Sequence, residues 1–427
     1  MLELTVNGTT DPVGRYLSWR PVEAGLRIED DGGVPGSLQV RLHAPAGAGG
    51  RLELRRERKD PPSDELTLEL PADGSPVTFF VAGRFGSPST SRGDSALEVH
   101  GVGASASLLT SFPLTVRVRK DAEQLTTTER DAFLAALAAL NTEIMGNLFQ
   151  TYRDIHMSGT LLEAHGFDGF LPWHRAYLLD LERELQNVNP DVALHYWRWD
   201  RPAPRLFSED YFGAPDEASG FARFSPANPL RLWSIDNRQG IERLPLFDVA
   251  SSGAHNEFGQ PPRPDTNITM FTGTYGQLRP PFESNPHGRA HVSFTGDIDS
   301  PPTAPRDPLF FLLHCNVDRL WAKWQWLQQR SDPDTPGSYS FRGRFGDLGA
   351  TRIGHNLLDT MWPWNGVTGG PGPRPPAAPR QPFPGALPAA PGPLPTVRTM
   401  VDYQGLHDVA APLGFDYDDV PFQPDVP

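Results

Sequence analysis

One stretch constrains this chain more than any other. Residues 285–325 read NPHGRAHVSFTGDIDSPPTAPRDPLFFLLHCNVDRLWAKWQ. His287 and His291 stand four apart, and residues i and i+4 share a helix face, so both imidazoles can address one object. His314 follows an apolar run over 309–313 and precedes a helical pattern at Val317, Leu320, Trp321 and Trp324. A buried helix that carries one histidine beside two more is the layout of a three-imidazole metal site. Zinc, copper, iron and nickel all accept imidazole, so the stretch alone does not choose among them. It disfavours a zinc protease, because Gly288 stands where HExxH requires glutamate.

A second cluster lies upstream. Residues 152–185 read YRDIHMSGTLLEAHGFDGFLPWHRAYLLDLEREL, with His156, His165 and His174 each nine apart. Nine residues are about two and a half turns, so no straight helix face holds all three. Gly159, Gly166, Gly169 and Pro172 interrupt the segment. The predicted layout is one histidine on a helix, one on the connection, and His174 opening a helix over 175–185. Converging from a helix–loop–helix, the three form a second metal triad. The following HYWRWD, residues 195–200, is predicted to be an aromatic knot in which His195 serves the core. His43, His100, His255, His355 and His407 lack neighbouring ligand types and are read as structural or surface residues.

Two triads suggest a metal pair. No Glu-x-x-His pair sits on each of two facing helices, which disfavours a carboxylate-bridged di-iron bundle. No cysteine lies near the upstream histidine cluster, which excludes a blue-copper site there, and with Cys315 as the one cysteine no intrachain disulfide can form. Six neutral imidazoles bind both oxidation states of copper, which suits a two-electron centre.

The rest of the chain sets the frame. Its 427 residues are enough for two or three domains, and a net charge of −14 argues against a nucleic-acid surface. No signal peptide and no membrane-span length is visible, and the absence of disulfides favours the cytoplasm over export. Residues 1–122 are predicted to form an antiparallel β-sandwich or barrel, since apolar residues alternate at Leu38, Val40 and Leu42, at Leu52 and Leu54, at Leu66, Leu68 and Leu70, and at Leu114, Val116 and Val118. That accessory module is expected to shield or position the rest. Thr126 and Glu129 form a capping box before Phe133, Leu134, Leu137 and Leu140, so a helical core is predicted over 123–362. Residues 363–395 read as a Pro/Gly-rich arm, in which Phe383 is a linker residue rather than a plug, and 396–427 as a tail packing on the core. The fold class is therefore α+β and multidomain, with a mainly α four-helix-bundle core.

Both histidine segments resemble the paired copper-binding signatures of the type-3 copper family of tyrosinases, catechol oxidases and molluscan haemocyanins. The first resembles it in HGFDGFLPWHRAYLLDLEREL and HYWRWD, although the family usually has proline at the place of His195. The second does so in NPHGRAH and RDPLFFLLHCNVDRLWAKWQ, where Leu313 replaces the first of two adjacent histidines. The tail's GFDY is similar to the tyrosine motif that closes the family core. The resemblance implies two copper ions, one held by His156, His165 and His174 and the other by His287, His291 and His314, with Asp318 and Arg319 orienting the ligand helices. It implies O2 and small phenols or catechols as partners, and leaves open a copper-delivery factor and the oligomeric state. In similar enzymes a glutamate upstream of the first histidine of the second triad and an asparagine directly after it hold a water for phenol deprotonation. Glu283 matches the glutamate, while Gly288 stands at the asparagine position and Val292 lines the substrate wall. The expected activity is therefore oxidation of o-diphenols to o-quinones with weak or absent monophenol hydroxylation. A monophenol-hydroxylating tyrosinase, a 2-aminophenol oxidase and a haemocyanin-like O2 carrier share the same ligands. The segment before Arg306, SPPTAP, offers no phenylalanine gate, and no thioether can form near His165.

Overall fold

In the computed structural model the described residues are 1–29, 36–47, 49–103, 106–142, 146–156, 161–269, 273–347, 349, 352–367, 382–385 and 390–422. The chain divides into two compact units, Met1–Arg119 with Gly414–Pro427, and Lys120–Leu413.

The first unit is built of β1 (Leu2–Val6), β2 (Tyr16–Leu17), β3 (Val22–Ile28), β4 (Ser37–His43), β5 (Leu52–Arg55), β6 (Glu65–Pro71), β7 (Val77–Gly83), β8 (Ser95–Gly101) and β9 (Leu108–Val116). One sheet runs β1-β3-β7-β5 and the other β2-β9-β8-β4-β6. Alternation decides which face is buried: Val40 and Leu42, Leu68 and Leu70, Leu97 and Val99, and Leu114 and Val116 enter one core with Leu26, Leu54, Phe79 and Val81 of the first sheet. Arg41, Glu69 and Glu98 between them lie on the opposite face, while Thr115 is buried and accepts the Gly93 N–H. The strands β1 and β3 escape the sequence reading, although Leu4 and Val6 and then Ala24, Leu26 and Ile28 alternate in the same way.

Residues 414–427 belong to this first unit, whereas the sequence reading expected all of 396–427 as a tail packing on the helical core. The physical reason lies at Trp19 and Arg119. The Trp19 backbone N–H and indole N–H donate to Asp416 Oδ2 (3.0 Å) and the Tyr417 carbonyl (2.8 Å). The buried Arg119 guanidinium lies over Phe415, 3.7 Å from the ring centroid, and donates to the Tyr417 hydroxyl at 2.8 Å. Tyr417 thus closes the β unit.

The second unit contains α1 (Thr127–Leu140), α2 (Leu148–Ile155), α3 (Leu161–Ala164), α4 (Phe170–Val188), α5 (Asp265–Thr269), α6 (Tyr275–Phe282), α7 (Arg289–His291), α8 (Leu309–Gln328) and α9 (Val397–Val401). Short strands β10 (Ser234–Ile235) and β11 (Arg238–Gln239) pair with each other, as do β12 (Arg243–Pro245) and β13 (Phe294–Gly296). Thr126 and Glu129 make both halves of the capping box at the start of α1, and Phe133, Leu134, Leu137 and Leu140 are its buried face. Among the described residues no helix is long and apolar enough to cross a membrane.

Two helices dominate the unit. The helix α4 begins earlier than predicted, at Phe170, because Pro172 lies in its first turn, where a missing N–H costs nothing. The helix α8 runs unbroken through His314, and every residue from Leu309 to Ala322 is buried. Between the two helices the Arg175 guanidinium donates to Asp318 Oδ1 at 2.6 Å, with both side chains buried. The Arg175 guanidinium also lies on Trp321, 3.7 Å from the ring centroid. Asp307 accepts the Leu309 N–H at 2.9 Å and pairs with the buried Arg243, which fixes the start of α8 against β12.

Most of the Pro/Gly-rich arm lies outside the described residues. Its described Phe383 is buried against Trp364 (5.5 Å between centroids) and under Arg183, which donates to the Pro384 and Ala390 carbonyls. Arg183 stands nine residues beyond His174 on α4, so Phe383 is an anchor well away from the histidines.

Candidate metal centre

The local sequence delivers each histidine differently. His156 ends α2, His165 follows α3, and His174 sits in α4. His287 lies in a wide turn, Glu283–Gly288, kinked at Asn285, and His291 closes α7. The i, i+4 relation survives the kink, and the two rings stand 4.7 Å apart. His314 comes from the middle of α8. The structure gathers these residues into two groups, His156 with His165 and His174, and His287 with His291 and His314, each with ligand atoms within 4.8 Å of one another. The groups are neighbours, since the His174 and His314 rings stack at 4.3 Å.

Backbone carbonyls fix the tautomers. A carbonyl only accepts, so Nδ1–H donates to Pro301 O from His156 (2.9 Å), to Phe170 O from His174 (2.8 Å), to Glu283 O from His287 (2.9 Å) and to Ile298 O from His291 (2.7 Å). In each neutral ring Nε2 is then a bare lone pair. His287 Nε2 and His291 Nε2 both face His314 Nε2, at 3.2 and 3.1 Å, and His174 Nε2 faces His156 Nε2 at 3.4 Å. One imidazole proton on His314 can serve only one of its two partners. Protonating more rings is opposed by burial, which pushes His156 down to about 3 and His291 to about 4, and holds His165, His174, His287 and His314 well below the usual imidazole range. Converging lone pairs with no protons to separate them fit a metal cation in each group. The two triads could hold two copper ions.

Apolar packing keeps the rings in place. Phe310 lies 4.1 Å from the His314 ring and 4.9 Å from His156, and Phe170 lies 4.8 Å from both His174 and His287. Asp318 acts through Arg175, the residue after His174, and Arg319 points away from the histidines, donating to Asn316 (2.8 Å) and Asp265 (2.5 Å). His195 is buried edge-on to Phe133 and its Nδ1 accepts the Lys120 N–H.

Glu283 does not stand free. Its Oε1 accepts the Gly166 N–H at 2.6 Å and its Oε2 accepts from Arg279 Nη1 at 2.9 Å, while burial raises its carboxyl above the usual range. It thereby straps the loop after His165 to the turn that carries His287. The same loop is held by the Tyr275 hydroxyl on Asp168 O (2.5 Å) and by His355, whose Nδ1 accepts the Gly169 N–H at 2.9 Å. Sequence reasoning missed Pro301, Arg175, Tyr275, Arg279 and His355 in these roles. Only Arg175, adjacent to His174, carried a usable signal. Gly288 has helical backbone, and a Cβ there would meet Glu283 O at 3.4 Å. Val292 is exposed to 43%.

An all-imidazole pair on a helical unit defines a dinuclear metalloprotein, and comparison with known proteins says of which kind. Residues 146–327 match the common central domain of tyrosinase. The chain is 30% identical over 275 residues to a tyrosinase of Streptomyces antibioticus, covering 59% of this chain and 94% of that protein. It is 28% identical to the grixazone synthase of Streptomyces griseus over 276 residues, covering 52% of this chain and 87% of that one. Among solved structures, deoxygenated haemocyanin from Rapana thomasiana superposes with a TM-score of 0.46 at 23% identity, covering 72% of this chain and 70% of that one. The chain belongs to the tyrosinase family of type-3 copper proteins and is a copper-dependent oxidoreductase.

Proposed function

We propose that the enzyme oxidises o-diphenols to o-quinones with O2, and hydroxylates monophenols weakly or not at all. The observation that carries this reading is the pairing of Gly288 with an already engaged Glu283. A catechol needs only to lose two electrons and two protons, whereas a monophenol must first surrender its phenolic proton to an oriented base. Both Glu283 oxygens accept hydrogen bonds from the protein, and Gly288 offers no side chain to orient a water beside it.

His156, His165 and His174 are the ligands of one copper ion in this reading, and His287, His291 and His314 those of the other. Bound there, the copper pair supplies O2 activation and takes up the substrate electrons. The four backbone-fixed Nδ1–H groups hold the imidazoles neutral and aimed inward, and Asp318, through Arg175, keeps α4 and α8 in register. Phe310 and Phe170 exclude water from the flanks of the rings, and Val292 forms an apolar wall for the substrate. The helices α2, α4 and α8, with the turn and short α7 that carry His287 and His291, serve as the ligand-bearing core of the helical unit, and the first unit as a sandwich-like accessory domain. The single, buried Cys315 supports a reducing compartment, the cytoplasm. Partial exposure of His165, with Phe167 exposed on the same loop, favours turnover over O2 carriage, which needs a covered site.

Oxygen uptake by the copper-loaded enzyme tests the reading. Rapid uptake with 4-methylcatechol and little or none with a monophenol is the expected result. Steady monophenol hydroxylation at a comparable rate would overturn it.

A further inference from the structure

Two of the six histidines, His165 and His314, have an Nδ1 that is buried without an acceptor among the described residues. His314 stands in the middle of α8, and the helix fixes its place. His165 lies on the short connection between α3 and α4, so no helix holds its backbone and no carbonyl among the described residues orients its ring. The position of that imidazole is therefore set by whatever grips the connection.

Glu283 and Tyr275 grip it at Gly166 and Asp168. A second hold comes from residues 354–362. Two positions before His165, Glu163 Oε1 accepts the Trp362 N–H at 2.8 Å. Four positions after it, the Gly169 N–H donates to His355 Nδ1 at 2.9 Å. One position before His174, the Trp173 indole N–H donates to the Trp362 carbonyl at 2.7 Å. Glu163, Gly169, Trp173, His355 and Trp362 are all buried, so none of these bonds has water as a ready substitute.

Two glycines let the chains meet this closely. A Cβ on Gly169 would stand 2.6 Å from His355 Nδ1 and 2.8 Å from the Gly354 carbonyl, and one on Gly354 would stand 2.5 Å from Glu163 Oε1. The gripping segment is itself braced, since the Asp359 carboxylate accepts the N–H groups of Gly354 (3.0 Å) and Asn356 (3.1 Å). Residues 354–362 lie beyond the stretch 146–327 that carries all six histidines, yet they hold both flanks of one of them.

We propose that His355 and Glu163 are positioning residues for His165, so that residues 354–362 set the copper affinity of the first histidine group without supplying a ligand. This rests on the assignment of His156, His165 and His174 to one copper ion.

The test measures copper affinity by chelator competition, with elemental analysis and EPR, in wild type, His355→Leu, His355→Asn and Glu163→Leu. His355→Leu leaves the Gly169 N–H buried without its acceptor, and one ion should bind about tenfold or more weakly, the loss expected when a group that orients a ligand is removed. The other ion should keep its wild-type affinity. The half-loaded variant should show the EPR signal of a lone Cu(II) ion, no longer suppressed by a magnetically coupled neighbour, and it should superpose on that of His165→Ala. Glu163→Leu should weaken the same ion. In His355→Asn the amide oxygen can take the place of Nδ1, and most of the affinity should return. Wild-type affinity for both ions in His355→Leu overturns the proposal, as does an equal loss of both, which is the mark of a merely structural role. Where His355→Leu does not fold, His355→Asn against His355→Gln decides: the longer side chain displaces the acceptor, and equal affinities in the two overturn the proposal. Failure of wild type itself to take up two ions would sink the ligand assignment, and the proposal with it.

Discussion

Four imidazoles have their Nδ1–H committed to backbone carbonyls, so their Nε2 lone pairs have one direction left to point. Replacing His314 by alanine removes the atom that both His287 and His291 face. Bound copper should fall from two ions per chain to about one, measured by elemental analysis after dialysis. Titration gives a second expectation. An unfolded imidazole titrates near 6.5, whereas His156 is held at about 3 and His291 at about 4 in the folded chain. Below 6.5 the unfolded chain takes up protons that the folded copper-free chain refuses, so stability is fully present above 6.5 and is lost progressively as pH falls toward 4 and 3. Urea midpoints of copper-free protein between pH 8 and 5 should therefore decrease toward the acid end, and a flat profile would contradict the burial argument. At Gly288 the helical backbone and a 3.4 Å nearest contact leave room for asparagine. Gly288→Asn should raise the ratio of monophenol to catechol turnover, read by oxygen uptake.

Helices α4 and α8 are joined where both carry ligands. Arg175 follows His174, Asp318 lies one turn beyond His314, and the two side chains are buried and 2.6 Å apart. Asp318→Ala would leave the Arg175 guanidinium with only Gln325 and the Met400 carbonyl as acceptors among the described residues. Stranding a buried charge in this way costs about 3–5 kcal/mol, which should appear as a lower denaturation midpoint of the helical unit. Asp318→Asn keeps an acceptor and should lose less. The histidine spacing gave no sign of this brace, because it depends on two helices crossing. The same holds for the strap from Glu283 to Gly166, which ties the two histidine segments across 117 positions of sequence.

On the scale of the whole molecule, residues 414–427 belong with the β strands rather than with the helices that precede them. A chain ending at Leu413 would leave Arg119 buried without Phe415 and the Tyr417 hydroxyl, and the Trp19 indole without its acceptor. Calorimetry of that truncation should show the transition of the β unit shifted to lower temperature and that of the helical unit retained. A single unshifted profile would mean the segment contributes nothing to the first unit.

The sequence by itself determined what is periodic or locally coded. Alternation at Val40, Leu42, Leu68 and Leu70 reports a buried sheet face, the Thr126–Glu129 box marks where α1 begins, and HxxxH places His287 and His291 side by side. Each depends on residues a few positions apart, whose relative geometry the backbone fixes. Tertiary structure alone decided that Pro301 and Ile298 carbonyls set the tautomers of His156 and His291, that Glu283 is a strap, that Phe383 is an anchor, and that Tyr417 closes the β unit. Those contacts join residues distant in sequence through single carbonyls, carboxylates or ring faces, and such groups leave no period in the chain. They form where burial forces a polar group to find whichever partner the fold has brought within reach.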